Sequence, residues 1–138
     1  MLIMVVDGQG GRIGSTIIGE LLSRKPDCEI IAVGTNSQAT SQMMRAGASR
    51  GASGENPIAV NAVHADIITG PIGIISANAL LGEITPRMAE AISGSDAEKV
   101  LIPVSRCRIT VAGTKEMKMG EYIKEAADLI SQRIGQSR

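Results

Sequence analysis

Leu2-Ile3-Met4-Val5-Val6-Asp7-Gly8-Gln9-Gly10-Gly11-Arg12-Ile13-Gly14 carries a continuous apolar run straight into a glycine cluster. An unbroken run of this length reads as a central parallel strand buried on both faces. Beyond the glycines, Ile13, Ile17, Ile18, Leu21 and Leu22 recur on one helical face, and the pattern stops at Pro26 after Arg24-Lys25. Glu29 to Val33 is a second apolar, β-branched strand. Strand, glycine turn, helix and strand make a βαβ unit, whose crossover is right-handed. The turn reads as GxxGxxG through Gly8, Gly11 and Gly14, or as GxGxxxG through Gly8, Gly10 and Gly14. It misses the strict GxGxxG, because Ile13 stands where the third glycine would be. No Gly-Lys-Ser/Thr follows, which excludes a Walker loop. Its glycines suit a tight turn, a close backbone approach to a pyrophosphate and a helix lying near the sheet, with free N–H groups and positive dipole at the helix start. A bare strand–helix connection holding no ligand is the alternative.

Outward from this unit, a second helix is predicted from Asn36 or Ser37 to Gly47, capped by either side chain. Residues 47–56 are rich in Gly, Ala and Ser and read as a mobile loop. Pro57 to Asn61 reads as a third strand and Asp66 to Thr69 as a fourth, ending in a second glycine turn, Gly70-Pro71-Ile72-Gly73. Thr85-Pro86 starts a helix that stops at Gly94. Lys99 to Val104 is a fifth strand. Arg108 to Val111 follows too closely for a parallel crossover, so it is predicted as a sixth, antiparallel strand. The last helix sets Ile123, Ala126, Ala127, Ile130 and Ile134 on one side. The expectation is one Rossmann-like α/β domain over residues 1–138: an open, mostly parallel sheet of about six strands with helices on both faces.

Such a sheet binds ligands where strand order reverses, outside the carboxyl ends of its first and fourth strands. The predicted contacts are Gly8, Gln9, Gly10, Gly11, Arg12 and Ile13 for phosphates, Thr35 and Asn36 for ribose, and Gly70, Pro71, Ile72 and Gly73 beyond. A side chain at Gly11 is expected to enter the phosphate site or meet the strand, so that Gly11→Val removes binding at modest cost in stability. Dinucleotide folds usually end their second strand in an acid that grips ribose hydroxyls. Here the strand ends Val33-Gly34-Thr35-Asn36 without one, which with Arg12 tilts the cofactor towards NADP over NAD. A mononucleotide suits the turn equally, and Asn36 and Ser37 have an alternative use as helix caps.

Composition narrows the function classes. Of 138 residues, one is Tyr and none is Phe or Trp, so any base must lie against aliphatic walls. Lys+Arg and Asp+Glu are 14 each. Without a basic excess or aromatic platforms, nucleic acid is excluded as the expected partner. No run reaches the length of a membrane span, and no signal peptide is visible, which points to the cytoplasm and two free thiols, Cys28 and Cys107. One His and two distant Cys make no zinc site, so no metal is expected. His64 falls at the wrong end of the fourth strand, and Tyr122 and Lys124 miss the YxxxK spacing, being expected on the exposed side of the last helix. Cys107 lies between two arginines, where exposure favours thiolate and strand alternation favours burial. Asn78 and Glu83 fall where a substrate would meet the cofactor, but neither has a visible partner. No catalytic residue is assigned.

The GQGGRIG turn resembles that of dihydrodipicolinate reductases and atypical short-chain dehydrogenases over about the first 35 residues. The whole chain resembles a family of short bacterial proteins of unknown function, mainly from anaerobes and Firmicutes. The matching stretches are Val5 to Gly11, Ala32 to Asn36, Thr69 to Ile75, Leu81 to Pro86 and Leu101 to Cys107. This second resemblance implies a Rossmann-like fold and brings no activity with it. The leading expectation is a nucleotide-binding protein with NADP or NAD as its cofactor. A non-catalytic nucleotide-responsive sensor or assembly module and a ligand-free structural homo-oligomer are the alternatives. Ile72, Ile74, Ile75, Leu80 and Leu81 exceed what one short segment needs for a small sheet, so a homo-oligomer is expected.

Overall fold

In a computed structural model describing residues 1–136, the apolar run is β1 (Leu2–Asp7), the middle strand of a five-stranded sheet. β2 (Glu29–Gly34) and β4 (Ile67–Pro71) pair with it on either side, while β3 (Arg50–Ser53) and β5 (Glu98–Ile102) form the edges. The order is β3-β2-β1-β4-β5, and every pairing is parallel. Alternation along β1 sends its side chains into two cores. Ile3 and Val5 join α1 (Arg12–Ser23), α2 (Ser37–Arg45) and α5 (Met119–Gln136) on one face. Met4 and Val6 join α3 (Glu55–Ala62) and α4 (Pro86–Ser93) on the other. Each fully buried aliphatic side chain contributes about 1.5–3 kcal/mol, so the central strand anchors both layers.

Several local expectations hold. Asn36 caps α2 by accepting from the Ala39 amide at 2.9 Å, and Thr85 caps α4 with Pro86 in its first turn. The strand order turns around at β1 and β4, which puts the first and second glycine turns at the same sheet end.

Three expectations are corrected. Residues 57–61 lie in α3 instead of a strand. Pro57 falls in the first turn, where its missing N–H forfeits no helical bond, and Ile58 and Ala62 bury one helical face. Exposed Val60 and Val63 blur that periodicity in the sequence. The supposed loop of residues 47–56 contains β3, an edge strand of small and polar residues. Its Arg50 forms an ion pair with Glu29 on β2 at 2.7 Å. An edge strand needs little apolar surface, hence its absence from a hydrophobic pattern. Finally, the described residues form no sixth, antiparallel strand. A 3₁₀ turn over Ser105–Cys107 is followed by left-handed Arg108 (φ 54°), which breaks the extension, and residues 108–118 run on without regular structure.

The apolar segment after β4 is also placed differently. Ile72 and Ile74 are buried in the second core, Ile75 and Leu80 are half-buried against it, and only Leu81 stands out, at 97% exposure. That segment covers its own domain and leaves no broad apolar patch.

Helix and strand make opposite demands on residues 58 and 60. Ile58→Ala is expected to lower unfolding free energy by about 2–5 kcal/mol, whereas Val60→Ala stays within about 0.5 kcal/mol. Urea titration of the two variants reads this out. Comparable losses at both positions would contradict a helix here.

Candidate nucleotide site

Asp7 ends β1 with its carboxylate buried beneath the glycine turn. Oδ1 accepts from the Gly8 amide at 2.8 Å, and Oδ2 from the Gly14 amide at 2.7 Å. The Ile13 amide also points to it. A side chain five residues before α1 therefore caps two of the helix's first amides, since Gly11 at the N-cap has none to offer. Burial pushes the Asp7 carboxyl above the ordinary aspartate range. The three amides pull it back only in part, and the nearby negative charge of Glu83 adds to the upward push.

The glycines have distinct uses. Gly11 is left-handed (φ 71°), and a Cβ there would lie 2.7 Å from the Ala39 carbonyl oxygen of α2. At Gly14 a Cβ would press on Met43 and on the Asp7 side chain, so this glycine lets α1 lie close to strand and neighbouring helix. Gly10 has open space around its α-carbon. A side chain at Gly11 would thus strike α2, where the sequence expectation has it meet the strand or a phosphate.

Of the turn's amides, Gly8, Ile13 and Gly14 are held by Asp7, Gly11 by the Gly8 carbonyl and Gln9 by Glu83. Among the described residues, the Gly10 and Arg12 amides have no partner. They border a crevice of about 50 Å³ lined by residues 7–13, Pro71, Leu80, Val104 and Arg106. Two arginines, Arg12 and Arg106, are among the residues lining this crevice, and neither forms an ion pair among the described residues. Free amides at a helix start beside two unpaired cations are suited to an anion.

A second polar cluster adjoins the turn. Glu83, on the loop between β4 and α4, extends its Oε1 to the tip of β2 and accepts three hydrogen bonds. They come from Thr35 Oγ1 at 2.6 Å, Asn36 Nδ2 at 2.9 Å and the Gln9 amide at 2.9 Å. Asn36 also donates to the Gln9 carbonyl at 3.0 Å, so one side chain caps α2 and binds this cluster. Gly8 lies directly below, where a Cβ would be 2.8 Å from Leu80, 2.9 Å from Thr35 and 3.0 Å from Glu83. Burial pushes the Glu83 carboxyl up, but bonds from Thr35, Gln9 and Asn36 outweigh it, and the net shift is below the ordinary glutamate range.

The structure thus gathers Gly8 to Ile13 and Pro71 around one crevice and sets Thr35 and Asn36 beside it. Gly70, Ile72 and Gly73 lie behind that wall. A Cβ at Gly70 would meet the Val6 carbonyl oxygen of β1, and one at Gly73 would meet Cys107 Sγ at 2.5 Å, so both glycines serve packing. Cys107 is half-buried, and His64 precedes β4 at the opposite end of the strands. Tyr122 is half-buried, its hydroxyl donating to the Lys115 carbonyl. Asn78 is exposed, with left-handed backbone. Sequence reasoning missed the roles of Asp7, Arg106 and Glu83. An acid closing a buried strand was a signal for Asp7. Glu83 stood out by its place after the second glycine turn, but nothing local marked its partners, which lie 47 to 74 positions away.

The family described as a domain of unknown function (DUF3842) matches residues 2–135, and the chain belongs to it. No curated protein matches the chain in sequence. Among solved structures, it is similar to a dodecameric FMN-dependent UbiX-like decarboxylase from Escherichia coli O157:H7. The TM-score is 0.50 at 13% identity, with 96% of this chain and 94% of the other covered. AibC gives 0.46 at 14% identity over 96% of this chain and 39% of that one. A putative NADPH:quinone reductase from Bacillus thuringiensis gives 0.40 at 18% identity over 95% and 45%. At such identity the decarboxylase likeness is one of fold. No helix of the described residues is long and apolar enough to cross a membrane.

Two neighbouring glycines should respond differently to a side chain. Gly11→Val is expected to cost roughly 2–5 kcal/mol, from left-handed strain and overpacking against α2. Gly10→Ala should move stability by no more than about 1 kcal/mol. Chemical denaturation separates them, and a stable Gly11→Val protein would contradict the contact with α2. The Asp7 shift gives a pH signature as well. Because its carboxyl holds a proton more readily folded than unfolded, it contributes most at low pH. Stability relative to Asp7→Asn should fall as pH rises through the ordinary aspartate range to the raised folded value, then level off. A difference that stays flat over that interval would contradict the burial of an ionising group.

Proposed function

We propose that this family member binds a phosphate-bearing nucleotide in the crevice at the carboxyl ends of β1 and β4, with NAD or NADP the first candidates. The observation that carries this is that two free amides, Gly10 and Arg12, belong to a crevice whose lining also holds two arginines without an ion pair, Arg12 and Arg106. A pyrophosphate or phosphate there gains backbone donors, the α1 dipole and charge-assisted bonds together. Thr35 and Asn36 stand on the side where the sugar would extend, and Pro71 and Leu80 form an aliphatic wall. FMN, named for the similar decarboxylase, would address the same cradle through its single phosphate and belongs in the test panel.

A nucleotide-responsive module is a second form of this reading, and one observation favours it. Asn78, Leu80, Leu81 and Gly82 all have positive φ, and Leu80 presses towards Gly8 at the crevice floor. A ligand entering the small crevice must displace Leu80 and so act on a strained loop. A homo-oligomer remains part of the proposal on new grounds. Grooves of about 500 and 460 Å³ flank the irregular segment after β5, beside exposed Val111, Met119 and Leu129. Light scattering at micromolar concentration should give a mass above that of one chain, and a monomer would remove this part.

For the nucleotide, NAD or NADP at about 100 times Kd should stabilise the protein by about 2.7 kcal/mol in a thermal-shift titration. Arg12→Ala and Arg106→Ala, folded as the native protein is, should each weaken binding by roughly ten- to a hundredfold. No shift with NAD, NADP, ADP or FMN at millimolar concentration would overturn the proposal.

A further inference from the structure

We infer that Glu83 is the sugar-binding acid that the tip of β2 lacks, and that it selects a nucleotide with a free ribose 2′-hydroxyl over one carrying a 2′-phosphate. This inference rests on the nucleotide reading and names the group that sets its specificity.

Dinucleotide-binding sheets place a carboxylate at the end of the second strand, beside the first glycine of the turn, where it accepts from the ribose hydroxyls. Here that strand ends Gly34-Thr35-Asn36. The place is nevertheless taken by a carboxylate. Glu83 arrives from the far side of β1, on the loop between β4 and α4, and its Oε1 binds Thr35, Asn36 and the Gln9 amide directly above Gly8. All three bonds fall on Oε1, which leaves Oε2 to accept from a ligand hydroxyl. Thr35 and Glu83 are both half-buried, so the cluster can be reached from solvent.

The loop is organised for this delivery. Asn78, Leu80, Leu81 and Gly82 adopt left-handed backbone, which is costly for the leucines. Backbone bonds hold them there. The Asn78 amide donates to the Ile84 carbonyl at 2.7 Å, the Ile84 amide to Ala79 at 3.1 Å, the Glu83 amide to Leu80 at 3.1 Å and the Gly82 amide to Asn78 at 3.2 Å. Ile84 is fully buried next to Glu83 and pins the loop's end in the second core. The carboxylate is therefore fixed before any ligand arrives, and its hydrogen bonds favour the charged form.

An ionised carboxylate at the sugar attracts hydroxyl donors and repels a phosphate at the same carbon. The arginines, on the crevice side of the turn, are placed for the pyrophosphate instead. The NADP preference read from the absent acid and from Arg12 is thereby reversed in favour of NAD.

Calorimetric titration of the native chain with NAD and with NADP, repeated on Glu83→Gln and Glu83→Asp, tests this. The native protein is expected to prefer NAD by about tenfold or more, and Glu83→Gln to lose most of that preference by weakening NAD and sparing NADP. Thermal melts establish that each variant is folded. The native ratio decides the matter even where a variant is not. Equal affinity for both dinucleotides, a preference for NADP, or an unchanged ratio in Glu83→Gln overturns the role of Glu83 and leaves the nucleotide reading standing. Tighter binding of both by Glu83→Gln shows instead that the carboxylate plugs the site, and overturns selection. Binding of FMN without NAD or NADP overturns this inference and leaves the nucleotide reading standing, whereas absence of binding to NAD, NADP, ADP and FMN alike overturns both.

Discussion

A carboxylate buried at the end of the central strand governs the geometry of the candidate site. Asp7 ties Gly8, Ile13 and Gly14 together through their amides, and so sets both the path of the glycine turn and the angle at which α1 leaves it. Without that acceptor, the first amides of α1 would be buried or aimed at solvent without a partner, at about 1–3 kcal/mol each where buried. The position of α1 in turn fixes the seat of α2, through Gly11 against Ala39 and Gly14 against Met43. The same bonds bear on the proposed function. By occupying the second and third amides of the helix, Asp7 leaves Gly10 and Arg12 as the turn's free amides for an anion. The two arginines beside the crevice supply charge where the backbone has few donors left.

The sequence was most legible where burial is symmetrical. β1, α1 and β2 could be read from unbroken apolar runs and one helical period, and Thr85-Pro86 and Asn36 announced their helices through capping chemistry. Elements at the margin of the sheet were less legible. β3 has no large apolar side chain because an edge strand needs little apolar surface, and its exposed Arg50 pairs with Glu29. α3 exposes Val60 between buried Ile58 and Ala62, so residues 57–61 imitate the alternation of a strand. Segment 108–111 has strand-like composition, but left-handed Arg108 breaks the extension, and the outer edge of β5 stays unpaired among the described residues.

For the site, the local half was legible and the long-range half was not. Gly8 to Ile13 and Pro71 meet around one crevice because the glycine turn and the end of β4 share a sheet end, which the strand–helix alternation implies. Glu83 could be singled out by its place after the second glycine turn, but its partners gave no signal. Its meeting with Thr35 and Asn36 depends on four left-handed residues and a buried Ile84 steering a loop across β1, and left-handed leucines have no pattern in sequence. Gly70 and Gly73 show the opposite case: a glycine turn at the proper sheet end whose glycines are required by β1 and Cys107 behind them.

On the proposed function, the turn's two free amides receive a phosphate group while the others stay bound to Asp7, Glu83 and the Gly8 carbonyl. Amide-resolved NMR titration with NAD tests this most directly. The account requires the largest shifts at Gly10 and Arg12, with Gly8 and Gly14 moving little because Asp7 holds them. Saturable shifts centred on another surface, with Gly10 and Arg12 unmoved, would contradict it.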